Sequence, residues 1–162
     1  MILNFKNRID ILFKNRFDIL LKKQFMPLKI NLHSFSYKKC GIPTDTSGNG
    51  GGFIFDCRFI YNPGRMEEFK LLTGKDKGVT EFLDYQIEMQ KFLNNVYEII
   101  DPAIENYIER DFQNLMISFG CTGGQHRSVY SAEKTKEHIE TKFANVIVEL
   151  HHNQIEKGLN II

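Results

Sequence analysis

The sequence lacks most of the features that would place it quickly. No apolar run approaches the roughly 20 residues needed to cross a bilayer, and no secretory signal opens the chain. Three cysteines, Cys40, Cys57 and Cys121, leave at least one unpaired, which excludes a disulfide scaffold and leads us to expect a reducing, cytoplasmic setting. No Cys/His pairs show zinc-ligand spacing, so no metal is expected. No G-x-x-x-x-G-K-[ST] occurs, so an ATP or GTP phosphate loop of that kind is excluded, and no cofactor is expected. Charge of one sign is missing too: 21 Lys and Arg face 20 Asp and Glu.

What is present is an ordinary globular composition, 42% hydrophobic and 25% charged over 162 residues. A chain of this size suits one domain and can bury roughly 70% of its unfolded surface. The near-neutral charge hides an uneven spread. Residues 1–29 hold seven Lys or Arg against two Asp, whereas residues 30–162 hold 14 against 18 Asp and Glu. We therefore divide the chain into a basic arm, residues 1–26, and a mildly acidic body, residues 27–162.

The arm carries an eight-residue repeat, Phe5 to Leu12 followed by Phe13 to Leu20. As a helix it would gather Ile9, Phe13, Phe17, Leu20 and Leu21 on one side. Its cations Lys6, Arg8, Lys14, Arg16, Lys22 and Lys23 could meet RNA, a partner protein or an anionic membrane surface, or the arm could drive an oligomeric scaffold. Met26-Pro27 marks a break, and Met26 could serve as an alternative start.

In the body, residues 28–35 alternate apolar and polar side chains, the period of a strand. A turn-rich stretch from Gly41 to Gly52 leads to a second short strand, Phe53 to Phe55, followed by Asp56-Cys57-Arg58. Helical spacing from Phe82 to Ile100 predicts one long helix, with Asp101-Pro102 ending it and capping another that reaches about Arg110. Leu115 to Phe119 reads as a buried strand, residues 127–143 as a helix, and Asn145 to Leu150 as a last strand. Helical connections between apolar strands predict an α/β fold with a largely parallel sheet of four to five strands.

The segment richest in chemistry runs Gly120-Cys121-Thr122-Gly123-Gly124-Gln125-His126-Arg127-Ser128, between a strand and a helix. A helix start offers unpaired N–H groups and the positive end of the macrodipole, and Arg127 adds a fixed charge. Gly123 and Gly124 let the backbone turn its N–H groups toward one point, while Thr122 and Ser128 add hydroxyls. Together these residues predict an anion site, with phosphate as the natural anion. His126 could donate to that anion or make a structural hydrogen bond. Read narrowly, Cys121-x5-Arg127-Ser128 also fits a cysteine-dependent phosphatase, with Cys121 as nucleophile and Arg127 as the clamp on the phosphoryl oxygens. Gly120 stands where such enzymes usually carry histidine, and no general-acid loop is evident. Arg58 and Arg65 follow the second strand, Asp45 and Asp56 flank the glycine run, and His151 and His152 should point to opposite faces of their strand.

Several motifs together carry a family likeness. They are Phe35-Ser36-Tyr37-Lys38, Gly41-Ile42-Pro43-x-Asp45, Phe55-Asp56-Cys57-Arg58, Asn62-Pro63, Leu72-Thr73-Gly74-x-Asp76-Lys77, and Gly120 through Tyr130. Over about residues 30–152 the chain resembles the C-terminal domain of the RapZ family, also known as RNase adapter or nucleotide-binding proteins. The resemblance implies a phosphofructokinase-like α/β fold and a non-catalytic, phosphosugar-sensing adapter that binds RNA and forms homo-oligomers. It places an anion such as the phosphate of an amino-sugar phosphate on Thr122, Gly123, Gly124, His126 and Arg127, with Arg58 facing them. Two departures follow. Full-length members carry an N-terminal kinase-like domain with a Walker A loop, which is not found here. Where the family commonly has Arg-His-Arg, this chain has Leu150-His151-His152, and only Lys157 follows. RNA binding would then draw its phosphate-neutralising charge from the arm.

Overall fold

The computed structural model describes residues 26–156; residues 1–25, with the six cations of the basic arm, and the last six residues lie outside that range. Four strands form one sheet in the order β2-β3-β1-β4: β1 Leu28–Ser36, β2 Gly52–Asp56, β3 Asn114–Cys121 and β4 Val146–His152. Every pairing is parallel, with Ile30 opposite Leu115 and Val148, and Asp56 opposite Gly120. The helices are α1 Lys77–Asp84, α2 Ile87–Glu109, α3 Arg127–Lys142 and a single turn, α4 Asn153–Glu156. This is the α/β fold with a parallel sheet that the strand and helix patterns predict.

The strand periodicity works as expected. Leu28, Ile30 and Leu32 of β1 are buried, as are Leu115, Ile117 and Phe119 of β3, all within the main apolar cluster. Lys29, Asn31 and His33 alternate with them and stay partly exposed. Helix α3 packs on β1, β3 and β4. From α2, Leu93, Val96, Ile100 and Ile104 complete the core, and Phe92 meets Phe55 and Phe119 edge-on at ring distances of 6.3 and 6.2 Å.

Two boundaries differ from the sequence reading. The helix expected from Phe82 begins earlier, at Lys77, and is divided at Tyr85–Gln86, where Gln86 turns extended. Tyr130 of α3 holds the end of α1 by donating its hydroxyl to Asp84 at 2.5 Å. Conversely, Asp101-Pro102 does not end a helix: α2 runs straight through it for 23 residues. The Asp101 carboxylate is drawn sideways instead, accepting from His138 at 2.9 Å and from Lys142 at 2.8 Å on α3. Tertiary pairing overrides the capping signal, and Pro102 merely removes one N–H from the ladder.

Candidate functional site

In a parallel sheet the carboxyl ends of the strands share one edge, where ligands commonly bind. Here β1, β2 and β3 end side by side at Ser36, Asp56 and Cys121, tied by Tyr37 N–H to Cys121 O (3.0 Å) and Cys57 N–H to Gly120 O (2.8 Å). The loop from Cys121 to His126 leaves this edge and enters α3. Ser36 Oγ donates to the Thr122 carbonyl at 2.7 Å and fixes its start. Gly124 has φ +68°, and a Cβ there would stand 2.8 Å from Gln154 Cβ and 2.9 Å from Ser36 N. Only glycine satisfies both the left-handed backbone and the close approach.

Over this loop lies a strap, residues 58–74, which the sequence alone did not single out. It contains two 3-10 turns, Pro63–Arg65 and Glu67–Phe69, and the loop's own side chains hold it down. Gln125 Nε2 donates to the carbonyls of Lys70 and Leu72 at 2.8 and 2.6 Å, and Gly74 N–H returns to Gln125 O at 2.9 Å. His126 Nε2 meets the Phe69 carbonyl at 2.8 Å. A carbonyl only accepts, so Nε2 carries the hydrogen in the neutral ring. Burial lowers the His126 pKa below its ordinary value, against the raising effect of the Phe69 bond.

Between strap and loop is a cavity of about 520 Å³ lined by Cys121, Thr122, Gly123, Gln125 and His126, with Asn62, Gly64, Lys70 and Leu71 opposite. Its size falls among ordinary small-molecule sites. Thr122 supplies a hydroxyl, Gly123 bare backbone, and Lys70 a cation at the rim that also pairs with Glu67. Cys121 Sγ lies 3.1 Å from Ser128 Oγ and accepts the Gly124 N–H at 3.2 Å. The first N–H groups of α3 have no intrahelical partner and add partial positive charge behind the loop.

The residues expected to hold an anion divide into three groups. Thr122, Gly123 and His126 line the cavity with Cys121. Gly124, Arg127 and Ser128 are buried in the wall behind it. Arg127 is 3% exposed and sends Nη1 to the carbonyls of Arg58 (2.9 Å) and Ile60 (2.7 Å), while its buried Nε has no partner. Arg58 is not among the lining residues. Its guanidinium pairs with Asp56, lies 4.0 Å from the Tyr37 ring centre and holds the Asp56 carboxyl below its usual range. Lys70, Gln125 and Asn62 were missed by sequence reasoning, although Asn62-Pro63 and Leu72-Thr73-Gly74 bracket the strap that brings them in.

The histidines at the end of β4 behave as the strand period requires. His151 stacks on His33 at 5.2 Å, while His152 turns the other way, to Ser34 Oγ at 2.8 Å and Glu133 at 3.1 Å. Among the described residues no group of three or more His, Cys, Asp or Glu is placed to hold a metal, and no helix is long and apolar enough to cross a membrane.

The arrangement is that of a parallel α/β domain whose glycine-rich strand-to-helix loop borders a cavity. Sequence comparison makes the assignment specific: residues 28–156 match the RapZ C-terminal domain, and the chain belongs to that family. A "nucleotide-binding protein" of Ruminiclostridium cellulolyticum is 40% identical over 133 residues, covering 82% of this chain and 43% of the relative. Another so named, from Fervidobacterium nodosum, is 37% identical over 129 residues, covering 80% and 43%. The chain thus spans somewhat less than half the length of these relatives.

Proposed function

We propose that this protein is a RapZ-type regulatory domain that senses a phosphorylated small molecule, an amino-sugar phosphate or a similar anion. The observation that carries the reading is the cavity itself: Thr122, Gly123 and Lys70 converge on it at a helix N-terminus, under a strap held by Gln125 and His126. The anion sits against the Thr122–Gly123 backbone, and the rest of the ligand fills the space toward Asn62 and Leu71. Arg127 serves the loop indirectly, by fixing the Arg58–Ile60 carbonyls that begin the strap. Ligand binding would then set the strap's position, which a partner protein, RNA or a second copy of the chain reads. RNA affinity would draw on the arm, whose removal should abolish both the affinity and its salt dependence.

Titration calorimetry with inorganic phosphate and with amino-sugar phosphates tests the site. Thr122→Val and Lys70→Ala should each weaken binding by about tenfold to a hundredfold, the equivalent of one charge-assisted hydrogen bond of about 1.5–3 kcal/mol. Undiminished binding in both variants would refute the placement.

A cysteine-dependent phosphatase is the second reading, favoured by the Ser128 hydroxyl and Gly124 N–H on the Cys121 sulfur. Against it, the Arg127 Nη1 is committed to two carbonyls. Aryl-phosphate turnover that disappears in Cys121→Ser would establish the enzyme; phosphate binding without turnover would establish the sensor.

A further inference from the structure

The sensor reading leaves one group beside the loop without a role. Cys57 follows β2 and Cys121 ends β3; Asp56 stands opposite Gly120, and the Cys57 N–H continues the ladder to Gly120 O at 2.8 Å. Cys57 and Cys121 are therefore the next pair in register. Neighbouring strands lie about 4.7–4.9 Å apart. That spacing falls inside the roughly 4.4–6.8 Å window between the Cα atoms of a disulfide. Both sulfurs turn toward α3. Cys57 Sγ donates to Ser131 Oγ at 3.7 Å and Cys121 Sγ meets Ser128 Oγ at 3.1 Å. Ser128 and Ser131 are three residues apart and share a helix face, so the two thiols reach the same patch of α3. Both are free.

They are not equivalent. Cys121 lines the cavity, and its sulfur accepts the Gly124 N–H at 3.2 Å. Cys57 is fully buried, and burial pushes its thiol up. A small oxidant entering the cavity meets Cys121 first, with Cys57 directly behind it.

We propose that Cys121 and Cys57 form a peroxide-responsive pair that closes a reversible disulfide. The Cys121 thiolate attacks one oxygen of a hydroperoxide; the O–O bond breaks, and the departing oxygen takes up a proton and leaves as alcohol or water. Cys121 is now a sulfenic acid. The Cys57 sulfur attacks it, the S–S bond forms, the S–O bond breaks, and the hydroxide leaves as water with the Cys57 proton. Two thiols are oxidised and one peroxide is reduced. The second step is the slower, because Cys57 ionises reluctantly. Thiols of the cell reverse it by exchange, as befits a redox-sensing disulfide in a reducing compartment. Closing the disulfide draws the Cys121 sulfur away from Gly124 N–H and Ser128 Oγ, which reshapes the loop. Only this last consequence rests on the anion-sensing reading.

The test treats the reduced full chain with stoichiometric hydrogen peroxide, blocks the remaining thiols and maps the peptides. A Cys57–Cys121 link is expected, with the loss of two hydrogen atoms and full recovery in dithiothreitol. Inorganic phosphate should bind the oxidised form at least tenfold more weakly. Cys57→Val, with Cys57→Ala as a second choice should it misfold, should bind phosphate like the unmodified chain, keep that binding through peroxide treatment, and accumulate a Cys121 sulfenic acid trapped by a 1,3-dicarbonyl reagent. A link from Cys121 to Cys40 or to another chain, or oxidation of folded protein without any link, overturns the pair. A Cys57–Cys121 link in a chain that never binds phosphate would uphold the pair and sink the sensor reading.

Discussion

The backbone of Gly74 runs against that of His126 with no room for a side chain: a Cβ there would lie 2.2 Å from the His126 carbonyl oxygen and 2.4 Å from the Tyr130 nitrogen. Both obstacles are backbone at the start of α3, which cannot give way as a side-chain tip can. The strap and the glycine-rich loop are thus packed as one body. Gly74→Ala should lower stability by about 1–3 kcal/mol, the ordinary cost of overpacking. Gly78→Ala, in α1 with only the Phe69 ring 3.4 Å away, serves as the control and should be near neutral. Denaturant midpoints of the two variants give the comparison, and equal midpoints would disprove the close packing.

A second tie crosses from α2 to α3. Asp101 is 8% exposed and accepts from both His138 and Lys142, while His138 stacks on Tyr97 with ring centres 3.8 Å apart. Removing the carboxylate leaves two donors facing a mostly buried gap. Asp101→Ala should cost about 1.5–3 kcal/mol, the range for hydrogen bonds to charged groups. In a His138→Ala background the same change should cost measurably less, since the two side chains share one interaction. A purely additive double mutant would show that the contact contributes nothing.

Pro102, next to Asp101, lies inside α2 and leaves the Glu98 carbonyl without its usual donor. Pro102→Ala should therefore raise stability, by about 1 kcal/mol or more, because alanine restores the donor and has the higher helix propensity. Were Pro102 the first residue of a separate helix, the same change would be neutral or harmful. Thermal melting decides between the two, and a fall in Tm would contradict the continuous helix.

These two residues mark where the sequence stopped being readable. Asp-Pro is a strong local signal for a helix start, yet it lost to a carboxylate recruited by α3, a partner 37 residues away. The strands were legible because burial on one sheet face writes itself as alternation, as Leu28, Ile30 and Leu32 against Lys29, Asn31 and His33. The Cys121–Ser128 loop was legible because glycines and hydroxyls cluster locally. The strap was not. Its anchors are the carbonyls of Arg58, Ile60, Phe69, Lys70 and Leu72, and a main-chain acceptor looks the same in every residue. Nor does a lone arginine announce whether it faces an anion or a carbonyl, so Arg127 and Arg58 could be placed near the loop but not oriented.

Acid should loosen the molecule in a defined window. Burial lowers the pKa of His126 and of His33 below the ordinary 6.5. The unfolded chain then binds more protons than the folded one as pH falls through that value, so stability decreases on acidification until the lowered folded values are passed. Asp56, Asp76 and Asp45 act in the same direction further down. Their folded pKa values lie below 3.8, through hydrogen bonds from Arg58, Thr73 and Ser47 respectively. The stability they contribute is present above that value and lost as pH falls through the folded ones. Denaturant midpoints from pH 7.5 downward should fall through about pH 6.5, and His126→Gln should flatten the slope. A stability that rises over that interval would contradict the sign.

Gly120 bears on the choice between sensor and enzyme. A Cβ at this position would stand 2.4 Å from Phe35 Cζ and 2.5 Å from Tyr37 Cε2, and Phe35 is fully buried with its ring edge-on to Tyr37 at 4.8 Å. The side chain that cysteine phosphatases usually carry just before their nucleophile therefore has no space here. Two aromatic rings fill it, and they brace the end of β1 against the end of β3. Gly120→Ala should cost about 1–3 kcal/mol. Gly120→His should cost more and confer no aryl-phosphate turnover on whatever folds. If Gly120→His folded as stably as the unmodified chain and hydrolysed aryl phosphate, the packing argument would fail and Cys121 would have to be read as a nucleophile.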